Sequence, residues 1–298
     1  MVDYAGLFPP AKLGIREAMM NYAQAQMAPY AWMLGRFVLP VSRLDEFEAL
    51  LPQLEESKTS QWSLSVLLSQ DVDTDIKRVR SHSSVTFPQG SVGVARSLNH
   101  PNLVVTALEF PALPPTEIER LLTHLPIGVD SFFEIPLSES PEPYLAVLQH
   151  KGVAAKVRTG GITAEAFPTV SQLCDCIFAF AEAQVPFKAT AGLHHPLRAQ
   201  HRLTYEPDSP STVMHGFLNL FVLAALVYWQ KITLEEGQQL LEESSLERFQ
   251  FKEDGISWRS HQLNLSEIET ARQQFFRSFG SCSFQEPIDD LKNLNLLG

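Results

Sequence analysis

The stretch "AAKVRTGG", residues 154–161, sets two cations, Lys156 and Arg158, inside a run that otherwise reads as a buried strand closing on a glycine pair. Side chains at i and i+2 of a strand share a face, so these two cations point the same way. In a parallel barrel, functional groups gather where strands end at their C-terminal rim, and the shared face is read as the interior near that rim. The segment "PFKATAG", residues 186–192, repeats the arrangement with Lys188 and Thr190. Consecutive βα units usually lie side by side, about 4.8 Å apart. Lys156 and Lys188 are therefore expected close together on neighbouring strands.

Working outward, β-rich runs alternate with helical patterns. Residues 36–40 precede "SRLDEFEALLPQL", with Ser42 as expected cap. Residues 62–68 ("WSLSVLL") alternate with a period near two and precede "DVDTDIKRVRSH". Residues 103–110 precede "PPTEIERLLTHL", where Thr116 and Glu119 have capping-box spacing. Residues 130–136 precede "SPEPYLAVLQHKG", with Ser140 as cap and Pro141 at the first helical position. The strand at 153–159 and a helix around 169–183 come next, then the strand at 186–192 and a long apolar helix. With a first strand near residues 3–7, these make roughly seven β/α units, the alternation of a parallel sheet wound with helices.

The fold expectation is a single α/β domain over 1–298, a (β/α)8 TIM-barrel-like architecture, with an open doubly wound sheet as the alternative. Residues 231–298 read as a less regular part of the same domain. There "ITLEEGQQLLEESS" carries a Thr233/Glu236 capping spacing, "FQFKEDGISWRSH" reads as a hairpin turning at Asp254-Gly255, and "LSEIETARQQFFRSF" reads as a helix. The eighth strand is least clear in this part. Residues 81–99 and 194–211 read as long loops, the second a candidate lid after the seventh strand.

Composition narrows the function classes. The chain has 298 residues, 45% of them hydrophobic, and 23 basic against 34 acidic residues give a net charge of −11. That balance argues against a nucleic-acid or anionic-membrane surface spread over the whole protein. The apolar segment 213–229 is shorter than a membrane span and is interrupted by His215 and Asn219, so a buried helix is expected. The N-terminal residues show no basic, apolar export pattern, and a cytoplasmic location is the expectation. Three cysteines are an odd number; Cys174 and Cys176, two apart on a helix, are read as reduced core thiols.

Against the acidic whole, residues 151–202 hold six Lys/Arg and three acids. An anionic ligand is the economical explanation. The Gly160-Gly161 turn and the loop after Gly192 could present backbone N–H groups to a phosphate or carboxylate, with Arg158, Thr190, His194 and Arg198 nearby. Two adjacent, buried ammonium groups would favour the neutral amine, and a neutral lysine is a nucleophile. Glu109 and Glu134 each end a strand, where a carboxylate either pairs with a lysine or moves a proton; one role is expected for each, with Glu134 the proposed acid/base. Asp3 is similarly placed but is read as structural. His194, His195, His201 and His215 have no metal-binding spacing, and neither a metal nor a cofactor is assigned.

"AKVRTGGITAEAF" followed by "VPFKATAGL" resembles the two lysine-bearing strands of deoxyribose-phosphate aldolases, class I aldolases on (β/α)8 barrels. The resemblance covers about forty residues, 155–193. It implies Lys156 as Schiff-base lysine, Lys188 as the second lysine that depresses its pKa, and Gly192 in a phosphate-binding turn. Arg158 stands where that family has a small hydroxyl residue, Ala191-Gly192 replaces a glycine pair, and Leu193-His194-His195 replaces the lead into the phosphate-binding helix. That family's substrate is therefore not carried over. The rest, including "DYAGLFPPA" and "MHGFLNLF", resembles uncharacterised bacterial proteins.

The leading expectation is a carbon–carbon lyase of the aldolase type, acting through an imine on Lys156 on a small phosphorylated or carboxylated carbonyl compound. Lys188 would keep the amine neutral, and Arg158 with His194 or Arg198 would hold the anion. Two alternatives stay open: a metal- or acid/base-dependent lyase or isomerase using Glu109, Glu134 and histidines, and a non-catalytic barrel that binds an anionic metabolite. Homo-oligomerisation is compatible with all three.

Overall fold

A computed structural model describes residues 1–54, 61–82, 100 and 102–298. In chain order the principal elements are β1 (Val2–Tyr4), α1 (Ile15–Met27), β2 (Leu34–Pro40), α2 (Leu44–Leu50), β3 (Trp62–Leu67), α3 (Val72–His82), β4 (Leu103–Phe110), α4 (Pro115–Leu122), β5 (Asp130–Glu134) and α5 (Glu142–Leu148). Then follow β6 (Ala154–Arg158), α6 (Val170–Glu182), β7 (Phe187–Thr190), β8 (Ala199–Arg202), β9 (Ser211–Met214), α7 (Phe217–Tyr228) and α8 (Leu234–Glu242). The chain ends with β10 (Phe249–Lys252), β11 (Gly255–Trp258), β12 (His261–Asn264), α9 (Leu265–Gln274), β13 (Phe276–Ser281) and α10 (Gln285–Asn293). Eight parallel strands close in the order β1-β13-β7-β6-β5-β4-β3-β2. The (β/α)8 reading holds, and the open sheet does not.

Alternation along the strands explains the layering. On β3, Trp62, Leu64 and Val66 join the large apolar layer between barrel and helices, and the intervening Ser63 and Ser65 face the lumen. On β5, Phe133 stacks on Phe110 in that outer layer, ring centroids 4.2 Å apart. Its neighbour Phe132 turns inward to a small apolar cluster with Ala107 and Ala154. The lumen is thus mainly polar and ionic, so its groups need partners there.

The eighth strand, β13, begins inside the segment expected to be one helix and runs two residues past it. That helix stops at Gln274, and "FRSFGS" is strand. Aromatic residues favour a pleated, half-buried surface over a continued helix. Phe276 stacks on Phe187, centroids 4.9 Å apart, and Phe279 stacks on Phe217 at 5.0 Å. The expected hairpin is a three-stranded sheet. Lys252 pairs with Gly255, so its first turn is centred on Glu253-Asp254, one residue earlier than expected. The first strand is Val2–Tyr4 rather than 3–7.

Three expected caps are corrected. Ser42 lies in a 3₁₀ turn, Val41–Arg43, that runs directly into α2. Prolines shift the other two starts: Pro114 and Pro115 begin α4 before Thr116, and Pro141 takes the cap position of α5 itself, leaving Ser140 outside. The Thr233/Glu236 capping box does open α8, and a Thr169/Gln172 box opens α6. Residues 194–211 are no plain loop: β8 and β9 form an antiparallel hairpin across their end. The other expected loop, 81–99, lies outside the described residues beyond His82, the end of α3. The apolar helix α7 is buried, and no described helix is long and apolar enough to cross a membrane. Cys174, Cys176 and Cys282 are free and buried.

Candidate functional site

Lys156 on β6 and Lys188 on β7 are direct register partners, as are Arg158 and Thr190. On the other side of β6, Glu134 at the end of β5 is in register with Lys156. Strand phase and neighbour order therefore bring the two lysines together as expected. Both are buried, 2% and 1% exposed, whereas Arg158 at the strand end is exposed.

The lysines do not face each other bare. Lys188 Nζ donates to Asp3 Oδ2 at 2.6 Å and to Glu109 Oε1 at 2.7 Å. The other oxygen of Glu109, Oε2, is 3.7 Å from Lys156 Nζ, and Glu134 Oε2 is 3.1 Å from the same amine. The lumen thus carries an alternating row of charge, Asp3, Lys188, Glu109, Lys156, Glu134. Hydroxyls complete the buried carboxylates: Ser278 Oγ donates to Asp3 at 2.7 Å and Ser65 Oγ to Glu109 at 2.7 Å. The backbone N–H of Arg36 donates to Asp3 Oδ1 at 2.9 Å. A side chain at residue 35 would strike that same oxygen, so Gly35 lets the Asp3 carboxylate pass close to β2.

The sequence expectation that burial and repulsion would neutralise these lysines is corrected for Lys188. Burial does work against its charge, but Asp3 and Glu109 outweigh burial and raise its pKa above the ordinary lysine value. The same contacts act on the acids. Burial opposes ionisation of Asp3 and Glu109, yet Lys188 and Arg36 hold Asp3 at about 2, and Lys188 with Lys156 hold Glu109 below the usual carboxylate range. Lys188 is accordingly a fixed cation, held by this network and lying over the face of Phe132, whose centroid is 5.3 Å from Nζ.

Between the two glutamates the roles divide. Glu109 is 4% exposed at the side chain and tied to Lys188 and Ser65. Glu134 is 19% exposed and touches Lys156 from the rim side. Asp3, read as structural, is a full partner in the row. Ser65 carried a period-two polar signal in "WSLSVLL", but Ser278 lay in a segment read as helix and gave none.

The remaining expected anion-site residues separate. Thr190 turns inward, its Oγ1 lying against Gly280. Gly192 has φ +75°, and a Cβ there would come 2.8 Å from Gly160 Cα; a Cβ on Gly160 would strike the Phe167 ring. A Cβ on Gly161 would come 2.8 Å from that of Ala166. The Gly160 and Gly192 turns are thus packed backbone to backbone, joined by Thr159, whose Oγ1 donates to Ala191 O at 2.5 Å. Close packing accounts for these glycines.

His194 is already engaged. Its Nδ1 lies 3.3 Å from Ser281 Oγ, 3.7 Å from Cys282 Sγ and 3.4 Å from Glu286 Oε2. Burial lowers its pKa, but Cys282 and Glu286 outweigh burial and carry it up to about 9. Arg198 turns away to His215, its Nη1 donating to Nδ1 at 3.2 Å, while His215 Nε2 donates to Pro168 O at 2.8 Å. His195 and His201 stack with centroids 3.4 Å apart, and His195 Nδ1 donates to Asp290 at 2.6 Å, tying the base of the β8–β9 hairpin to α10. Of the expected anion-site residues, Arg158 and Thr190 lie in register beside the lysine pair, and the Arg158 cation has no carboxylate partner among the described residues. No group of three His, Cys, Asp or Glu side chains converges for a metal ion among the described residues.

Comparison of the chain with protein-family models, with curated proteins and with solved structures returned no match.

Proposed function

We propose that the chain is an imine-forming carbon–carbon lyase of the class I aldolase type, with Lys156 as nucleophile and Glu134 as acid/base. The observation that carries this reading is the end of the charge row. Lys188 is locked between two buried carboxylates, whereas Lys156 meets at 3.1 Å a carboxylate that water reaches.

In this reading Glu134 takes a proton from the Lys156 ammonium, and the freed amine attacks a carbonyl carbon. The oxygen gains that proton, and Glu134 then carries a second proton from the nitrogen to the same oxygen, which leaves as water and gives an iminium with Glu134 again ionised. The bond from the α to the β carbon then breaks, and its electron pair moves into the iminium to give an enamine. The β-hydroxyl proton passes to Glu134, and the departing fragment becomes a carbonyl compound. Protonation of the enamine carbon and hydrolysis return Lys156 and the second product. Lys188 keeps a permanent positive charge beside the nitrogen, and Arg158 holds a phosphate or carboxylate of the substrate at the rim.

Borohydride trapping across a panel of phosphorylated and carboxylated aldehydes and ketones tests the reading. A covalent mass on the Lys156 peptide that disappears in Lys156→Met is expected. Turnover without a trapped adduct, dependent on a stoichiometric divalent metal, would favour the metal-dependent lyase or isomerase. Saturable binding with no turnover and no adduct would favour a metabolite-binding barrel.

A further inference from the structure

At the opposite, N-terminal mouth of the barrel lies a cavity of about 630 Å³ whose walls include Gln26, Arg36, Ser63, Thr106 and Arg277. That is within the usual range of small-molecule sites. Three irregularities in strand pairing converge on it. Between Leu64 and Ser65 of β3, β4 advances from Val105 to Ala107, so Thr106 is an extra residue. Between Phe187 and Lys188 of β7, β13 advances from Phe276 to Ser278, so Arg277 is extra. Between Val2 and Tyr4 of β1, β2 advances from Leu34 to Phe37, adding a residue in the Gly35-Arg36 step. A bulge re-aims a side chain that regular alternation would send elsewhere, and here all three turn residues into one cavity.

The charges of the cavity do not cancel. Arg36 is answered by Asp130, and its Nε donates to Thr106 Oγ1 at 3.1 Å. Asp3 is answered by Lys188. Arg277 has no carboxylate or hydrogen-bond partner among the described residues, and its Nε is buried and unsatisfied. Gln26 adds an orphan of the opposite kind. Its Nε2 donates to Gln61 O at 2.9 Å, which fixes the amide's orientation because a carbonyl can only accept, and its buried Oε1 is left without a donor. Each unsatisfied group carries a cost in the free protein that a suitable ligand removes.

We infer that this mouth binds a small hydroxylated oxyanion, whose phosphate or carboxylate oxygens accept from Arg277 and whose hydroxyl donates to Gln26 Oε1. The site is separate from the Lys156 chemistry and stands whether or not that reading holds. Glycerol 3-phosphate and glycerate are the probes, because neither has an aldehyde or ketone that could form an imine. Isothermal titration of the full chain with each distinguishes a phosphate site from a carboxylate site. The expected result is saturable binding of at least one probe at one site per chain. Arg277→Met and Gln26→Glu should each weaken binding on the order of tenfold or more, and Lys156→Met should leave it unchanged. If Arg277→Met does not fold, Gln26→Glu alone decides, since it sets a negative charge against the anion in a residue that is not part of the core. Absence of binding of both probes up to about 10 mM, retention of wild-type affinity in the cavity variants, or equal loss in Lys156→Met would overturn the inference.

Discussion

Lys188 and Glu109, 79 residues apart in sequence, meet across the lumen with Nζ 2.7 Å from Oε1. Glu109 spends its other oxygen towards Lys156, so a single carboxylate lies between the two lysines. Removing one member of a buried ion network leaves its partners charged and unsolvated, at about 3–5 kcal/mol. Lys188→Met is expected to lower stability by that order, because it strips Asp3 of its ion-pair partner and Glu109 of the nearer of its two cations. Denaturant unfolding of Lys188→Met, Asp3→Asn and the double variant checks this. The double variant should lose clearly less than the sum of the two, and strict additivity would contradict a shared network.

The proposed proton transfer gives a separate expectation. Glu134→Gln keeps the shape of the side chain and removes the base, so imine formation should slow by about a hundredfold or more. The slow adduct should still map to Lys156. Time-resolved borohydride trapping reads both quantities, and an unchanged rate would remove Glu134 from the mechanism.

A raised histidine pKa fixes a pH dependence. His194 stands at about 9 in the folded chain against an ordinary value of 6.5, because Cys282 and Glu286 outweigh its burial. The folded state therefore holds a proton that the unfolded chain has released between these values, and stability falls with rising pH there. The contribution is complete below pH 6.5 and lost as pH passes about 9. Chemical denaturation of wild type and His194→Gln at pH 6 and pH 9.5 should show a larger alkaline loss for wild type. Equal losses would show that the imidazole does not bind that proton.

Much of this arrangement was legible in the chain. The period of two placed Lys156 with Arg158 and Lys188 with Thr190, and the succession of βα units made the two lysines neighbours. Glu109 and Glu134 were visible as carboxylates at strand ends, but which one pairs with Lys188 depends on distances across a closed lumen. Closure itself was hidden, because "LSEIETARQQFF" keeps a helical pattern up to the point where packing of Phe276 and Phe279 overrides it. The role of Asp3 follows from that closure, which sets β1 beside β13. The extra residues at Thr106 and Arg277 left no compositional mark, whereas the isolated Gly35 in a strand is the kind of signal that a bulge or close approach leaves.

Two glycines make that last point testable. Gly35 borders Asp3 Oδ1, and Gly192 combines φ +75° with a backbone neighbour, Gly160 Cα, only 2.8 Å from where its Cβ would be. Neither obstacle is the free end of a flexible side chain: the Asp3 carboxylate is held by Lys188, Ser278 and the Arg36 N–H, and the Gly160 turn is pinned by Thr159. Gly35→Ala and Gly192→Ala are therefore each expected to cost about 1–3 kcal/mol. The sites should differ in consequence. Gly192→Ala disturbs the rim turns and should lower imine trapping at Lys156, whereas Gly35→Ala displaces Asp3 from β2 and should lower the affinity of the N-terminal cavity for its anion. Gly14, where a Cβ meets nothing within 4 Å, is the control position, and Gly14→Ala should change neither the trapping nor the anion affinity. A Gly35→Ala protein with wild-type stability would show that Asp3 can move, and the row of charge would then not be rigid at its first member.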